Sequence, residues 1–593
     1  MVARTRRSRA AAHSPGDGHP LLAVRLPAWR SKLILFLLFA GFITLAGRAV
    51  YLQGGFGTEF LQQQGQIRYA RTLEVAATRG RITDRNGVVL AASVPAQAVW
   101  AIPDDVTATP EQVAQLAKLL ELPPAELRRR LEAEDRSFVY LRRQVEPALA
   151  ARIAEMKLEG IHASPEFKRQ YPEGPTAAHV VGFTNADDRG QEGVERVFDA
   201  QLAGRAGSRT VIKDRLGRVV DGDWLRVPTD GADLALSLDN RIQYIAQSAL
   251  KQAVEQHRAK GAAAVVLDAR SGEVLALANW PSYDPNRRAG WNPQLARNRV
   301  LVDTFEPGST LKPFAVAAAL ERGLVTPEQM IQTAPGRLTI GNRTIGDTHP
   351  HGLLTVAQVV AKSSNVGTVK IALDLPAQTL WETYTNVGFG QAPRVGFPGS
   401  AAGSLRPYKA WRPIEQATIA YGYGVSVSLM QLARAYLVFA RDGDLVPVTL
   451  TRLTQPPAAV QVLSPATART MRGMLEAAAS PEGTAPRART AGYRVAGKTG
   501  TARKLKGGQY VNAYVASFAG FAPASDPRIV VAVMVDEPGA GVFYGGDVAG
   551  PVFAQITAGA LRTLAVMPDA AVPPSPAPGT PSRPVTVALR EAR

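Results

Sequence analysis

Cysteine is absent from all 593 residues. No disulfide can brace the chain, and no thiolate can ligate a metal. Zinc-finger spacing and the aromatic pattern of RNA-binding sheets are missing as well. The formal net charge of +18 therefore reads as basic residues facing anionic lipid and polymer, not nucleic acid. Acidic residues are scarce at the start. Over residues 1–32 only Asp17 stands against Arg4, Arg6, Arg7, Arg9, Arg25, Arg30 and Lys32. The apolar content of 46% is that of a globular protein, and the length leaves room for about two to four domains.

The long hydrophobic run covers residues 33–52, with Arg48 as its one charge. A membrane span needs about 20 apolar residues, and an arginine near one end can reach the interface. A cleaved signal peptide is the competing reading. Both the basic stretch and the apolar run are long for one, and Ala46-Gly47-Arg48 makes a poor cleavage site. We read residues 1–32 as a cytoplasmic basic tail and 33–52 as a retained transmembrane helix. The positive-inside rule then puts everything beyond about Gln53 outside the cytoplasm.

The next stretch, to about Arg226, mixes helical and strand-like patterns. Thr109-Pro110-Glu111 is N-cap chemistry with proline at the first helical position. It opens a helix with Val113, Leu116, Ala117 and Leu120 on one face. Residues 146–157 read as another helix. Arg79, Arg81, Asp84 and Arg85 invite a catalytic reading, but we assign them to a salt-bridged core. From about Gly231 the pattern changes. Asp239 can cap a helix with Ile242, Ile245, Ala246, Ala249 and Ala253 on its inner face. Residues 262–268 and 273–279 flank Ala269-Arg270-Ser271-Gly272 as a hairpin. Residues 514–521 and 528–535 are strand-like, and residues 551–566 read as a closing helix. Strands at both ends of a helical middle suggest an antiparallel sheet covered by helices, an α+β fold. After Met567 the chain is rich in proline and alanine and is read as a disordered tail, 568–593.

The stretch with chemistry is Glu306-Pro307-Gly308-Ser309-Thr310-Leu311-Lys312. Side chains three residues apart share a helix face. A serine hydroxyl attacks well only when a base takes its proton. Lysine is such a base only when neutral, and moving its pKa from about 10.4 costs about 1.4 kcal/mol per unit. Burial and a second cation are the usual means. Pro307 and Gly308 suit a helix entry, which leaves the Ser309 N–H free for an oxyanion. Ser-x-x-Lys alone is a weak signal. Ser248 and Lys251 repeat it inside an amphipathic helix pattern and read as structural. Ser363-Ser364-Asn365 adds Ser-x-Asn, and Lys498-Thr499-Gly500 is the only Lys-Thr-Gly present. Alone, the first is good helix-cap chemistry and the second a strand end. All three, in this order, are the motifs of penicillin-binding proteins and class A β-lactamases.

From about Arg48 to Phe553 the chain resembles class B penicillin-binding proteins. Arg79-Gly80-Arg81-Ile82-Thr83-Asp84-Arg85-Asn86-Gly87 looks like that family's membrane-proximal signature, as do His179-Val180-Val181-Gly182-Phe183 and Gly193-Val194-Glu195. Tyr421-Gly422-Tyr423-Gly424 followed by Gln431-Leu432-Ala433-Arg434 is most similar to the division-specific branch, the septal transpeptidase of the FtsI type. The resemblance implies a mixed α/β pedestal (dimerisation) domain over 53–226 and a transpeptidase domain over 227–567, with an all-helical part. It implies Ser309 as nucleophile and Lys312 as its base. Lys498 would keep Lys312 neutral and steer a carboxylate, and Ser363 would relay a proton. Asn365 would hold the substrate amide and help orient Lys312. Thr499, Gly500 and Thr501 would bind the substrate, and the N–H groups of Ser309 and Thr501 would form an oxyanion hole. It implies no cofactor and no metal.

The implied substrates are peptidoglycan stem peptides, mimicked by β-lactams. The implied partners are division proteins and a glycan polymerase at a bacterial inner membrane. The alternatives are an elongation-specific transpeptidase, a hydrolase, or a β-lactam-binding sensor or scaffold with little turnover. No Glu-x-x-Leu-Asn stretch of the hydrolytic kind stands out. Two other clusters compete for attention. Asp347, His349 and His351 could ligate zinc, but Pro350 and Gly352 argue for a loop. Tyr384-Thr385-Asn386 follows a better candidate and reads as structural.

Overall fold

The computed structural model describes residues 27–53, 70–132, 136–213, 219–221, 224–287, 292–397 and 399–570. The tails expected before residue 27 and beyond residue 570 lie outside the described residues. The chain packs as two units, residues 1–75 with 206–228, and residues 76–205 with 229–593.

In the first unit, Ala28–Gln53 is a 26-residue helix. Its mean hydropathy is 2.2 and its surface is unburied, and it is long and apolar enough to cross a membrane. Arg48 lies over the Tyr51 ring, 5.3 Å from its centroid, so its charge sits toward one end of the helix. The rest of the unit is a small antiparallel sheet of Ala70–Val75, Gly207–Lys213, Val219–Asp221 and Trp224–Arg226.

The second unit begins with a sheet in which Val89–Ala101 pairs antiparallel with Val139–Val145 and Ile161–Gln170. Helices Pro110–Leu119, Pro124–Leu131 and Pro147–Glu155 cover one face. Each starts with proline, where its missing N–H costs nothing and its fixed φ fits the helix. Thr109 and Gln112 form a reciprocal capping box. Val113, Leu116, Ala117 and Leu120 are buried, as their spacing predicts.

The Arg79 cluster is core, with one exception. Arg79 and Arg169 each place Nε 2.7 Å from one carboxylate oxygen of Glu195. Arg79 also reaches Asp199 at 2.8 Å. Asp84 accepts the N–H groups of Val88 and Asn240, and Arg85 meets Glu273. Arg81 departs from the expectation. It pairs with Asp233 at the surface, where the two side chains are 62% and 50% exposed.

The remainder is built on a five-stranded antiparallel sheet. Asp239 caps helix α1, Asn240–His257, by accepting the Arg241 N–H. Strands β1, Gly261–Asp268, and β2, Val274–Trp280, form the expected hairpin, with Gly272 at φ +75° in its turn. Strands β3, Ala496–Lys506, β4, Gln509–Ala522, and β5, Ile529–Asp536, complete the sheet in the order β2-β1-β5-β4-β3. Alternate β1 residues feed two cores. Ala262, Ala264 and Val266 face α1 and the last helix, Gly545–Thr563. Ala263, Val265 and Leu267 face the helical middle of the chain. Burial on both faces makes the strand an unbroken apolar run, not an alternating one. In this order β3 is an edge strand, so one row of its backbone groups is free to face something other than the sheet.

Candidate active site

Ser309 lies in the 3-10 turn Gly308–Leu311, which runs directly into helix α2, Lys312–Glu321. Helix α2 is anchored by burial on all sides. Phe314 packs against Phe389, Tyr436 and Phe439, and the Tyr436 hydroxyl donates to the Thr310 carbonyl at 2.8 Å. The turn is clamped from outside by the Tyr421-Gly422-Tyr423-Gly424 loop. Gly308 N–H donates to the Gly422 carbonyl at 3.1 Å. A Cβ on Gly422 would lie 2.1 Å from the Gly308 carbonyl oxygen, and its φ is +89°. Only glycine fits there. Among the described residues the Ser309 N–H has no protein acceptor.

Helix α3, Val356–Lys362, ends at Ser363, and helix α4, Asn365–Leu373, starts at Ser364. Both serines cap: Ser363 closes α3 in the left-handed region at φ +61°, and Ser364 Oγ accepts the Gly367 N–H at 2.9 Å. Cap chemistry and the Ser-x-Asn motif thus coincide. Lys312 Nζ donates to the Ser363 carbonyl at 2.5 Å and to Ser363 Oγ at 3.1 Å. No hydrogen bond joins Lys312 to Ser309 among the described residues. Asn365 Nδ2 donates to the Gly346 carbonyl at 2.6 Å instead of reaching Lys312.

Edge strand β3 runs beside the Ser309 turn. A Cβ on Gly500 would meet Ser517 Oγ at 2.4 Å and the Pro307 carbonyl oxygen at 2.6 Å, so glycine permits this approach. Lys498 Nζ contacts Thr484 Oγ1 at 3.2 Å and Thr499 Oγ1 at 3.3 Å. Thr501 Oγ1 accepts the Gly545 N–H at 2.9 Å, tying β3 to the start of helix α5, Gly545–Thr563.

The three segments meet at a cleft of about 780 Å³. Ser309, Ser363, Asn365, Thr499 and Thr501 line it. The two lysines lie beneath this polar wall, with Lys312 1% and Lys498 0% exposed. Burial, then the Lys498 ammonium, holds Lys312 well below the ordinary lysine range, and the Asp347 carboxylate opposes this. Burial brings Lys498 down to about 7. Both lysines therefore give up a proton more readily than an ordinary lysine, and neither has a salt-bridge partner among the described residues.

The models of two families match the chain, the penicillin-binding protein transpeptidase domain over residues 262–558 and the penicillin-binding protein dimerisation domain over 74–236. A probable peptidoglycan D,D-transpeptidase PenA of Neisseria gonorrhoeae is 42% identical over 545 residues, covering 91% of this chain and 93% of that protein. The peptidoglycan D,D-transpeptidase FtsI of Escherichia coli is 40% identical over 550 residues, covering 92% and 93%. The chain is a class B penicillin-binding protein, of the FtsI-like kind. The solved structures similar to this penicillin-binding protein include the apo transpeptidase domain of Burkholderia pseudomallei penicillin-binding protein 3. It is 51% identical with a TM-score of 0.53, over 57% of this chain and 98% of that one. A peptidoglycan synthetase from Bifidobacterium adolescentis is 26% identical with a TM-score of 0.67, over 85% and 98%.

The other candidates of this penicillin-binding protein are held in other ways. Lys251 lies over the Trp280 ring on α1, and Tyr384 is fully buried with its hydroxyl on the Ile419 carbonyl. His349 and His351 line the cleft, but Asp347 spends its carboxylate on α4. Thr484, which meets Lys498 and Thr499, had no local signal in the sequence. Only the fold brings it there.

Proposed function

We propose that this chain is a serine D,D-transpeptidase that crosslinks peptidoglycan stem peptides at the division septum. The observation that carries the reading is the meeting of Ser309, the Lys312–Ser363 pair and Lys498 around one cleft. Ser309 Oγ attacks the carbonyl of the penultimate D-Ala and forms an ester. Its proton passes to neutral Lys312 and on through Ser363 to the leaving nitrogen, the C–N bond breaks, and D-Ala departs. An amine from a neighbouring strand then attacks the ester carbon. The C–Oγ bond breaks and a proton returns to Ser309.

Lys498, Thr499 and Thr501 receive the terminal carboxylate, and Gly500 lets β3 come close. Asn365 faces the substrate amide from the cleft wall. The N–H groups of Ser309 and Thr501 stabilise the oxyanion, each donor contributing about 3–4 kcal/mol. β-Lactams stop at the acyl-enzyme.

The apolar helix anchors the protein with its N-terminus in the cytoplasm, by the positive-inside rule, and the catalytic part works on the outer side of the inner membrane. The boundaries we propose are a pedestal over 53–226 and a transpeptidase domain over 227–567. Division proteins and a glycan polymerase are the partners expected along the anchor and pedestal. Intact-mass spectrometry after benzylpenicillin tests the chemistry. The wild type gains the mass of one penicillin and Ser309→Ala gains none. An equal adduct on both, or none on the wild type, overturns the reading. Uniform wall labelling by a fluorescent fusion overturns the septal part alone.

A further inference from the structure

Asp347 has no part in the chemistry above, yet its carboxylate is almost fully engaged. Oδ2 accepts the Ser364 hydroxyl at 2.7 Å. Oδ1 accepts the backbone N–H groups of Asn365 and Val366, the latter at 3.0 Å. The preceding carbonyl, of Gly346, takes the Asn365 side-chain amide. Four hydrogen bonds thus tie the first turn of α4 to one loop. The loop is itself fixed, because Asp347 N–H donates to the Gly336 carbonyl at 2.9 Å.

The clamped turn follows directly on Ser363. A serine at φ +61° is in a sparsely populated conformation that persists only when its surroundings over-determine it. From the α3 side, Ser363 N–H donates to the Val360 carbonyl and Ser364 N–H to the Val359 carbonyl. From the α4 side the constraint is Asp347. With both in place, the carbonyl and hydroxyl of Ser363 face Lys312 together.

We propose that Asp347 is a positioning residue for acyl transfer, whose carboxylate clamps the start of α4 so that Ser363 presents both oxygens to Lys312. The proposal rests on the acyl-transfer reading given above. Asp347 touches neither the reacting hydroxyl nor the amine and acts through Ser363, Ser364 and Asn365. Its charge adds a second effect. Among the described residues the charged groups acting on Lys312 are Lys498, from β3, and Asp347, from this loop. The polar ones are the Ser363 oxygens, from the α3–α4 link. Lys362, His349 and His351 line the same cleft.

The test is the second-order rate of acylation by a fluorescent penicillin, measured against pH on the full-length protein in detergent. Asp347→Asn is expected to slow acylation by roughly 10–100-fold, the scale of a misplacement of about 1 Å. Its acid limb should move to lower pH, because Lys312 loses the carboxylate that favours its ammonium form. A residue that merely caps a helix would lower the melting temperature and scale the rate equally at every pH. Ser364→Ala removes one bond of the clamp and leaves the charge, so it should slow acylation with the limb in place. An Asp347→Asn enzyme with the wild-type rate, or with an unmoved limb, overturns the proposal. So does a Ser364→Ala enzyme with the wild-type rate. A wild type that takes up no penicillin defeats instead the acyl-transfer reading on which the proposal rests.

Discussion

Glu195 offers the sharpest test of how the pedestal is held. It bridges Arg79 and Arg169, with both contacts at 2.7 Å and all three side chains no more than 2% exposed. Glu195→Gln keeps the shape and removes the charge. Two guanidinium groups then remain buried. Arg79 keeps Asp199, whose side chain is 38% exposed, and the Asp188 carbonyl. Among the described residues Arg169 keeps the carbonyls of Arg79 and Gly80 and the Ser93 hydroxyl, and the one amide oxygen of the new side chain can serve only one of the two Nε groups that Glu195 serves. Breaking a buried pair by deleting one partner costs about 3–5 kcal/mol.

The surviving acceptors put this case near the lower end, about 3 kcal/mol, or a fall of roughly 6–12 °C in midpoint for a domain of about 150–250 residues. Thermal unfolding followed by calorimetry measures it, with penicillin acylation at low temperature as the check that the variant is folded. The triple replacement Arg79→Met, Arg169→Met, Glu195→Leu removes the charges together and should cost less than Glu195→Gln alone, since no lone buried charge is left. A Glu195→Gln protein that melts with the wild type, or a triple variant that melts well below it, would show that the network is not what secures this region.

Acylation by benzylpenicillin should rise with pH as Lys312 gives up its proton. It should fall through about 7 as Lys498, brought there by burial, loses its own. A rate that stays level from about pH 5 to about pH 9 contradicts this assignment of the two amines. Gly500→Ala forces a methyl group against the Pro307 carbonyl oxygen and Ser517 Oγ. Strand β3 must then draw back from Ser309, and acylation should slow by roughly 100-fold in a protein that still melts cooperatively. A change of less than about twofold, read by the same penicillin assay, would mean that the closeness of β3 does not matter.

Local chemistry was legible where it was local. Thr109, Asp239 and the Ala269-Arg270-Ser271-Gly272 turn act within a few residues of themselves, and the structure repeats their sequence patterns. The antiparallel sheet was legible because the apolar runs of β1 and β5 had no helical period. Other features depend on what lies opposite, and a linear pattern carries no such information. Arg79 and Arg81 differ by two positions, yet one is buried against Glu195 and the other lies at the surface with Asp233. The spacing of Ser309 and Lys312 marks them as neighbours, but it does not show that the hydrogen bonds of Lys312 go to Ser363, because a 3-10 turn separates the first two and the α3–α4 link brings in the third. Asp347 was weighed as a metal ligand from its histidine neighbours. Its bonds go to a helix start that lies 17 to 19 residues away in the chain.

One consequence follows from the way the two amines are buried. A lysine buried beside an acid keeps its proton, because the pair stabilises the charge. Here neither Lys312 nor Lys498 has such a partner among the described residues, and hydroxyl and carbonyl oxygens surround them instead. Burial therefore lowers both amines, bringing Lys498 to about 7, and the Lys498 charge lowers Lys312 further. On the proposed mechanism the missing counter-ion is the substrate's own carboxylate, arriving at Thr499 and Thr501. It favours the ammonium form of Lys498, and that charge drives Lys312 further toward the neutral form that can take the Ser309 proton. The neutral form of the base is then favoured further when a carboxylate-bearing donor is in place. An acid paired directly with either lysine would weaken this coupling more than the through-space pull of Asp347 on Lys312 does, which gives a physical reason for serine and threonine oxygens as their direct partners.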